Sequence, residues 1–234
     1  MATCALAGGH CGRIGTPCRS GQCLARTLRR LHERSWRDKL GLFFVEGEDV
    51  VEAATAEPVD LLRAGVDVES RLLAEVSTAA HPPRVIGVYR RADLPAWEER
   101  PVTLALWRIA DPGNLGTLIR SADAFGAAVM LSPGCADPTG PKALRATAGS
   151  IWRVPLGPFE PVGRRIALDA HGGEPLALVD LSPPVTFLLG AEREGLPEDV
   201  ERDAVARIPI DRAESLNVAA AGAVALYEFA RRGI

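Results

Sequence analysis

The order of apolar runs predicts an α/β chain: a parallel sheet with helices on both faces, preceded by a small α/β unit. Three observations carry this. Short apolar runs alternate with helical patterns twice along the 234 residues. The runs of the second half are nearly continuous in apolar residues, as expected of a parallel sheet covered on both faces. A polar, proline-bounded stretch, Leu94–Pro101, separates the halves. The expected division is a leader over 1–23, a small unit over 24–93, a linker over 94–101 and a main unit over 102–234.

Residues 1–23 mix Gly, Cys, Thr and Ser without periodicity, and are expected to be a disordered leader or an over-extended reading frame. Cys4, Cys11, Cys18 and Cys23 fall there. They lack the C-x2-C spacing of a zinc site, so ligation with help from His10 is the weaker alternative and no metal is expected. Leu24–Trp36 reads as one basic helix with Leu24, Leu28 and Leu31 on one face. Leu42–Gly47 (LFFVEG) reads as a buried strand ending in a turn. Glu48–Ala56 and Glu69–Val76 read as helices, Leu61–Gly65 and Val85–Tyr89 as strands.

After the linker, Val102–Ile109 is an apolar strand, Leu115–Phe125 a helix and Ala128–Leu131 a strand. Pro141–Ala148 and Pro161–His171 read as helices, and Leu176–Val179 and Phe187–Leu189 as strands. A short strand near Ile208 and a helix over Leu216–Arg232 close the chain.

The net charge of −3 argues against binding nucleic acid by bulk electrostatics. The distribution differs: Arg13–Lys39 holds eight Lys/Arg against Glu33 and Asp38, a local balance of +6. Such a stretch can neutralise phosphates, or it can be a solvated helix face. No apolar run reaches the roughly 18 residues needed to span a bilayer, and no signal-peptide core is evident; a cytoplasmic protein is expected.

Three segments stand out chemically. In DPGNLGTLIRSADAFGA (Asp111–Ala127) a helix opens directly after a strand. Leu115, Leu118, Ile119, Ala122 and Phe125 form its buried stripe, and Asn114 is placed to cap its start. Gly126 sits where a left-handed cap belongs. Arg120 lies off the stripe, free to face a ligand or to pair with Asp123. In FLLGAEREGLP (Phe187–Pro197) a strand runs into a glycine turn, with Gly190 allowing close approach and Glu192 at the strand's carboxyl end. In IPIDRAESLNVAAAGAVALYEFARR (Ile208–Arg232) Ser215 is a candidate cap for an unusually small-sided helix. No G-x-G-x-x-G follows a strand and no P-loop is present, which argues against dinucleotide and phosphoryl-transfer folds.

Taken in order, these segments resemble the SpoU/TrmH family of the SPOUT superfamily, whose motifs are N-x-G-x-x-x-R, L-G-x-E-x-x-G and I-P-x…S-L-N-V. The matching residues are Asn114, Gly116 and Arg120; Leu189, Gly190, Glu192 and Gly195; and Ile208, Pro209, Ser215, Leu216, Asn217 and Val218. Lys142–Pro155 is similar to the family's central segment, with Thr147 in place of its serine. The resemblance covers about residues 102–232, and 24–90 more weakly.

It implies a C-terminal trefoil knot, a homodimer with the last helix in the interface, and S-adenosylmethionine as methyl donor. The implied activity is 2′-O-ribose methylation of rRNA or tRNA, with a non-catalytic RNA-binding paralogue as the alternative. Arg120, Asn114, Glu192, Ser215 and Asn217 would be catalytic. Leu189, Gly190, Ile208, Pro209, Leu216 and Asn217 would hold the cofactor. Arg26, Arg29, Arg30, Arg34, Arg37, Lys39 and Arg145 are the candidates for RNA binding. A guanidinium normally stays protonated, so Arg120 is expected to bind phosphate and stabilise developing alkoxide rather than act first as a base.

Overall fold

The computed structural model describes residues 21–78, 81–191 and 193–233. Two helices, α1 (Gly21–Arg30) and α2 (Arg34–Leu40), lead into β1 (Leu42–Glu46), α3 (Glu48–Glu52), β2 (Asp60–Arg63), α4 (Ser70–Val76) and β3 (Val85–Arg90). These three strands form an antiparallel sheet in the order β1-β3-β2. Then come β4 (Val102–Leu106), α5 (Pro112–Ala124), β5 (Ala128–Leu131), α6 (Pro141–Thr147) and β6 (Leu156–Pro158). The chain ends with β7 (Arg164–Leu168), β8 (Glu174–Pro175), β9 (Val185–Leu189), β10 (Ala204–Arg207) and α7 (Val218–Arg231). The second sheet has seven strands, all parallel, ordered β6-β5-β4-β9-β7-β10-β8. The expected parallel α/β sheet is therefore present.

In that order β9 lies between β4 and β7, both laid down earlier in the chain. Helix α7 then packs on α5 and over β4 and β9. Gly222 makes that approach possible: a Cβ there would overlap the Leu118 side chain. Gly116 does the same between α5 and α6, where a Cβ would overlap the Ala143 carbonyl.

The single basic helix expected over Leu24–Trp36 is two helices. The Glu33 and His32 N–H groups turn to the Arg30 and Arg29 carbonyls, at 3.0 and 3.3 Å, and Glu33 is extended. Arg37 makes the break tolerable, because its Nη1 donates to the Leu31 and His32 carbonyls at 2.7 and 2.8 Å. The helix expected over Pro161–His171 is instead strand β7. Five residues between β9 and β10 gain a ladder on both sides, and sheet pairing overrides a weak helical period.

The strand expected over Leu176–Val179 is a turn after β8. Its Leu176 and Val179 carbonyls accept from Arg232 at 2.8 and 2.7 Å rather than from a neighbouring strand. The caps also shift. Asp111, not Asn114, caps α5, its side chain accepting from the Asn114 N–H at 2.9 Å. Asn217, not Ser215, caps α7, accepting from Ala219 and Ala220. Gly126 is left-handed as expected, with φ +66. Cys4, Cys11, Cys18 and the start of the leader lie outside the described residues, as does the side chain of Cys23.

The two sheets share a core. Phe43 of β1 and Tyr89 of β3 pack on Trp152, ring centroids 5.6 and 4.7 Å away, and the Trp152 Nε1–H donates to the Val50 carbonyl. Beside them Arg37 and Asp137, both under a tenth exposed, pair at 2.7 Å across the same junction. Arg91 adds a second guanidinium to Asp137 at 2.6 Å. In the connecting stretch Trp97 stacks against Gly157 of β6, where a Cβ would overlap its ring.

Candidate active site

The carboxyl ends of β7, β9 and β10 open into a cleft of about 490 Å3. That is within the roughly 300–1,000 Å3 of small-ligand pockets, and strand carboxyl ends are where open α/β sheets bind ligands. Leu189 and Gly190 form one wall, Ile208 and Ser215–Val218 another, and Leu168–His171 a third. Gly190 meets the 195–196 backbone so closely that a Cβ would overlap it. Ala191 and Gly195 exchange backbone hydrogen bonds of 3.2 and 2.9 Å, closing a tight turn over the strand end.

On the third wall the Asp169 carboxylate accepts the His171 and Gly172 N–H groups, both at 2.7 Å. Those bonds hold its pKa below the ordinary carboxylate value, which leaves a fixed negative charge at the cleft.

The first and third motif segments meet at the mouth. The Asn217 Nδ2 donates to Asn114 Oδ1 at 3.0 Å, tying the first turn of α5 to the cap of α7. Asp111 beside it is held below its ordinary pKa by a hydrogen bond from Lys142 and the Asn114 N–H. The expected residues Leu189, Gly190, Ile208, Ser215, Leu216 and Asn217 all line the cleft; Pro209 is exposed and outside its lining. Glu192 lies outside the described residues.

Arg120 is exposed on α5. Six residues of helix place it about 9 Å along the axis and about 240° around from Asn114, so the two do not share a face. Among the described residues it forms no ion pair, and Asp123 pairs instead with Arg153 at 2.6 Å.

The basic residues divide. Arg26, Arg29 and Arg30 line an open groove of about 550 Å3 between α1 and α4, with Glu33 and Glu75 on its rim. Arg30 and Lys39 lie over the Trp36 ring, 4.4 and 4.9 Å from its centroid. Arg34 is exposed beside Asp38 at 3.8 Å, and Arg145 bonds Glu46 and Thr78. Arg37 is the exception: it is buried against Asp137, so its charge is used inside the fold and does not reach solvent.

Sequence reasoning missed Asp169–His171, because the pattern over Pro161–His171 predicts a helix; the Asp followed by Gly172–Gly173 is the available turn signal. It also missed Arg193 and Arg202, which line the cleft, and Arg108. Arg108 follows β4, three residues before Asp111, in the left-handed region at φ +52. That conformation costs a residue with a Cβ roughly 1–2 kcal/mol. Among the described residues it pairs with Glu194 at 3.2 Å, through side chains 54% and 71% exposed. Such pairs contribute about 0.2–1 kcal/mol, less than the strain.

Comparison with known proteins places these features in context. Residues 101–227 match the SpoU rRNA Methylase family. An uncharacterised tRNA/rRNA methyltransferase of Synechocystis is 31% identical over 89% of this chain and 91% of its own. The 23S rRNA (guanosine(2553)-2′-O)-methyltransferase RlmP of Bacillus subtilis is 29% identical over 85% of this chain and 92% of its own. Among solved structures, an AdoMet-bound rRNA methyltransferase from Sinorhizobium meliloti superposes with a TM-score of 0.80 at 29% identity, over 90% of this chain and 95% of that one.

Proposed function

The chain belongs to the SpoU rRNA methylase family, and from that premise we propose that it methylates a ribose 2′-hydroxyl of rRNA or tRNA, with S-adenosylmethionine as donor. The observation that carries this reading is the Asn114–Asn217 hydrogen bond at the mouth of the β7/β9/β10 cleft, where separate motif segments converge. When bound, the donor would supply an electrophilic sulfonium methyl group for the ribose oxygen, its sulfur leaving as a neutral thioether and the hydroxyl proton passing to solvent.

The cleft fits such a donor. It has apolar walls at Leu189, Leu196 and Ile208, close backbone approach at Gly190, and an anchored carboxylate at Asp169. The chain's own residues bind and orient. The backbone around Gly190, Ile208 and Leu216 would hold the adenosine part. Asn114, Glu192, Ser215 and Asn217 would position the ribose, and Arg120 would bind the adjacent phosphate and stabilise charge developing on the oxygen. Holding the oxygen in line with the methyl carbon can supply several kcal/mol of the barrier.

Three finer readings complete the proposal. The 24–93 unit is an RNA-binding domain, supported by the groove of Arg26, Arg29 and Arg30. The C-terminal segment forms a trefoil knot, supported by β9 lying between two earlier strands and by α7 closing over it. The protein is a homodimer through α7, supported by Val224 and Tyr227, exposed apolar side chains three residues apart on one helix face.

Mass-spectrometric mapping of 2′-O-methyl sites in total RNA, with and without the gene, tests the activity. Loss of one defined site is the expected result. An unchanged map, together with no calorimetric binding of S-adenosylmethionine, would refute it.

A further inference from the structure

We infer that Arg108 is a second RNA-phosphate contact of the active site, held in reserve by Glu194 while RNA is absent. The inference deepens the proposed function and rests on it. Position comes first. The Trp107 N–H donates to the Leu189 carbonyl at 2.8 Å, and the β4/β9 register pairs Leu106 with Leu189, so Arg108 stands one residue past the level of Gly190 and reaches Glu194, between the cleft-lining Arg193 and Gly195. It is also six residues ahead of Asn114. Its backbone N–H is fixed by Ser132 Oγ at 2.8 Å, and its stem lies over Gly134, where a Cβ would sit 3.2 Å from Arg108 Cγ. The ends of β4, β5 and β9 thus converge to aim one guanidinium outward beside the site.

Energetics comes second. The left-handed backbone at Arg108 is one that glycine adopts without penalty, and the exposed pair with Glu194 does not offset it. A fold selected for stability alone would carry glycine here. Strain kept at the rim of a site points to use of the side chain.

Chemistry comes third. Glu194 offers one oxygen to Arg108 Nη1, in solvent. A phosphodiester offers two acceptor oxygens to the guanidinium fork and takes its place readily. Glu194 sits beside Gly195, whose backbone bonds to Ala191 hold the turn without Arg108, so the exchange leaves the cleft wall in place.

The test uses the full-length enzyme, tritium-labelled S-adenosylmethionine and total RNA from cells lacking the gene. Arg108→Gly fits the observed φ and is expected to fold. Its KM for RNA should rise roughly tenfold and the log–log salt slope of RNA binding should shrink by roughly 0.7–0.9, the loss of one phosphate contact. Its affinity for S-adenosylmethionine should stay within twofold. Glu194→Gln should act oppositely, lowering the RNA KM two- to threefold. Unchanged KM and slope in Arg108→Gly would overturn the role of Arg108 alone. Parallel loss of donor affinity in both variants would overturn it too, because the pair would then be a latch for the turn. A wild-type enzyme that neither binds the donor nor labels RNA would overturn both this inference and the reading beneath it.

Discussion

Arg120 and Asp137 carry charge to opposite ends, one to solvent and one to the interior. Arg120 is exposed and is not among the residues that line the cleft, so Arg120→Ala is expected to abolish methyl transfer while calorimetry gives a donor affinity within a few fold of wild type. Near wild-type turnover would remove it from the mechanism. Asp137 is structural. Burial pushes its carboxyl up, but the Thr139 hydroxyl and N–H and the Arg37 guanidinium together outweigh this and hold it below the ordinary range. A carboxylate with a depressed folded pKa stabilises the fold above about pH 4, its unfolded value, and loses that contribution as pH falls through the folded value. The urea midpoint should therefore be insensitive to this group from pH 7 to about 5 and decline below about 4. Asp137→Asn should remove that acid limb and cost about 3–5 kcal/mol at pH 7, because Arg37 stays buried without its counter-charge. None of this was legible in the sequence. Arg37 and Asp137 are 100 residues apart, and an arginine in a basic run looks solvated until the chain folds.

Among the elements, α5 and α7 were the most legible, and their glycines show why. Local spacing specified both helices, and the motif residues fell at their first turns, where Asn114 and Asn217 meet. Asn217→Ala removes the cap of two N–H groups and the tie to α5 together. The expected result is about 1 kcal/mol less stability by chemical denaturation, with a larger fall in kcat. The two glycine contacts should separate by what they meet. Gly116→Ala drives a methyl into a backbone carbonyl of α6, whereas Gly222→Ala meets the movable end of Leu118. Both destabilise, Gly116→Ala the more, within the roughly 1–3 kcal/mol of overpacking, as melting temperatures would show. Strand β7 was not legible because its five residues have no strong period of their own; its identity comes from β9 and β10 on either side. The same non-local pairing hid the Asp169–His171 wall of the cleft.

At the scale of the molecule, the antiparallel and parallel sheets share the Phe43–Tyr89–Trp152 cluster and the Arg37–Asp137 pair, and the connecting stretch is itself docked through Trp97. Heating should accordingly give one cooperative calorimetric transition; two resolved transitions would show that the units melt apart. A dimer through α7 predicts that Tyr227→Glu lowers the sedimentation coefficient to that of a monomer, with the circular dichroism unchanged. The junction has a further consequence. With a guanidinium–carboxylate bolt and three interleaved rings across it, the α1/α2 face and the β7/β9/β10 cleft are held like the two jaws of a gauge. On the proposed reading, an RNA that engages both would have to match their separation, so a substrate shortened between the two footholds is expected to be methylated more slowly than one of full span.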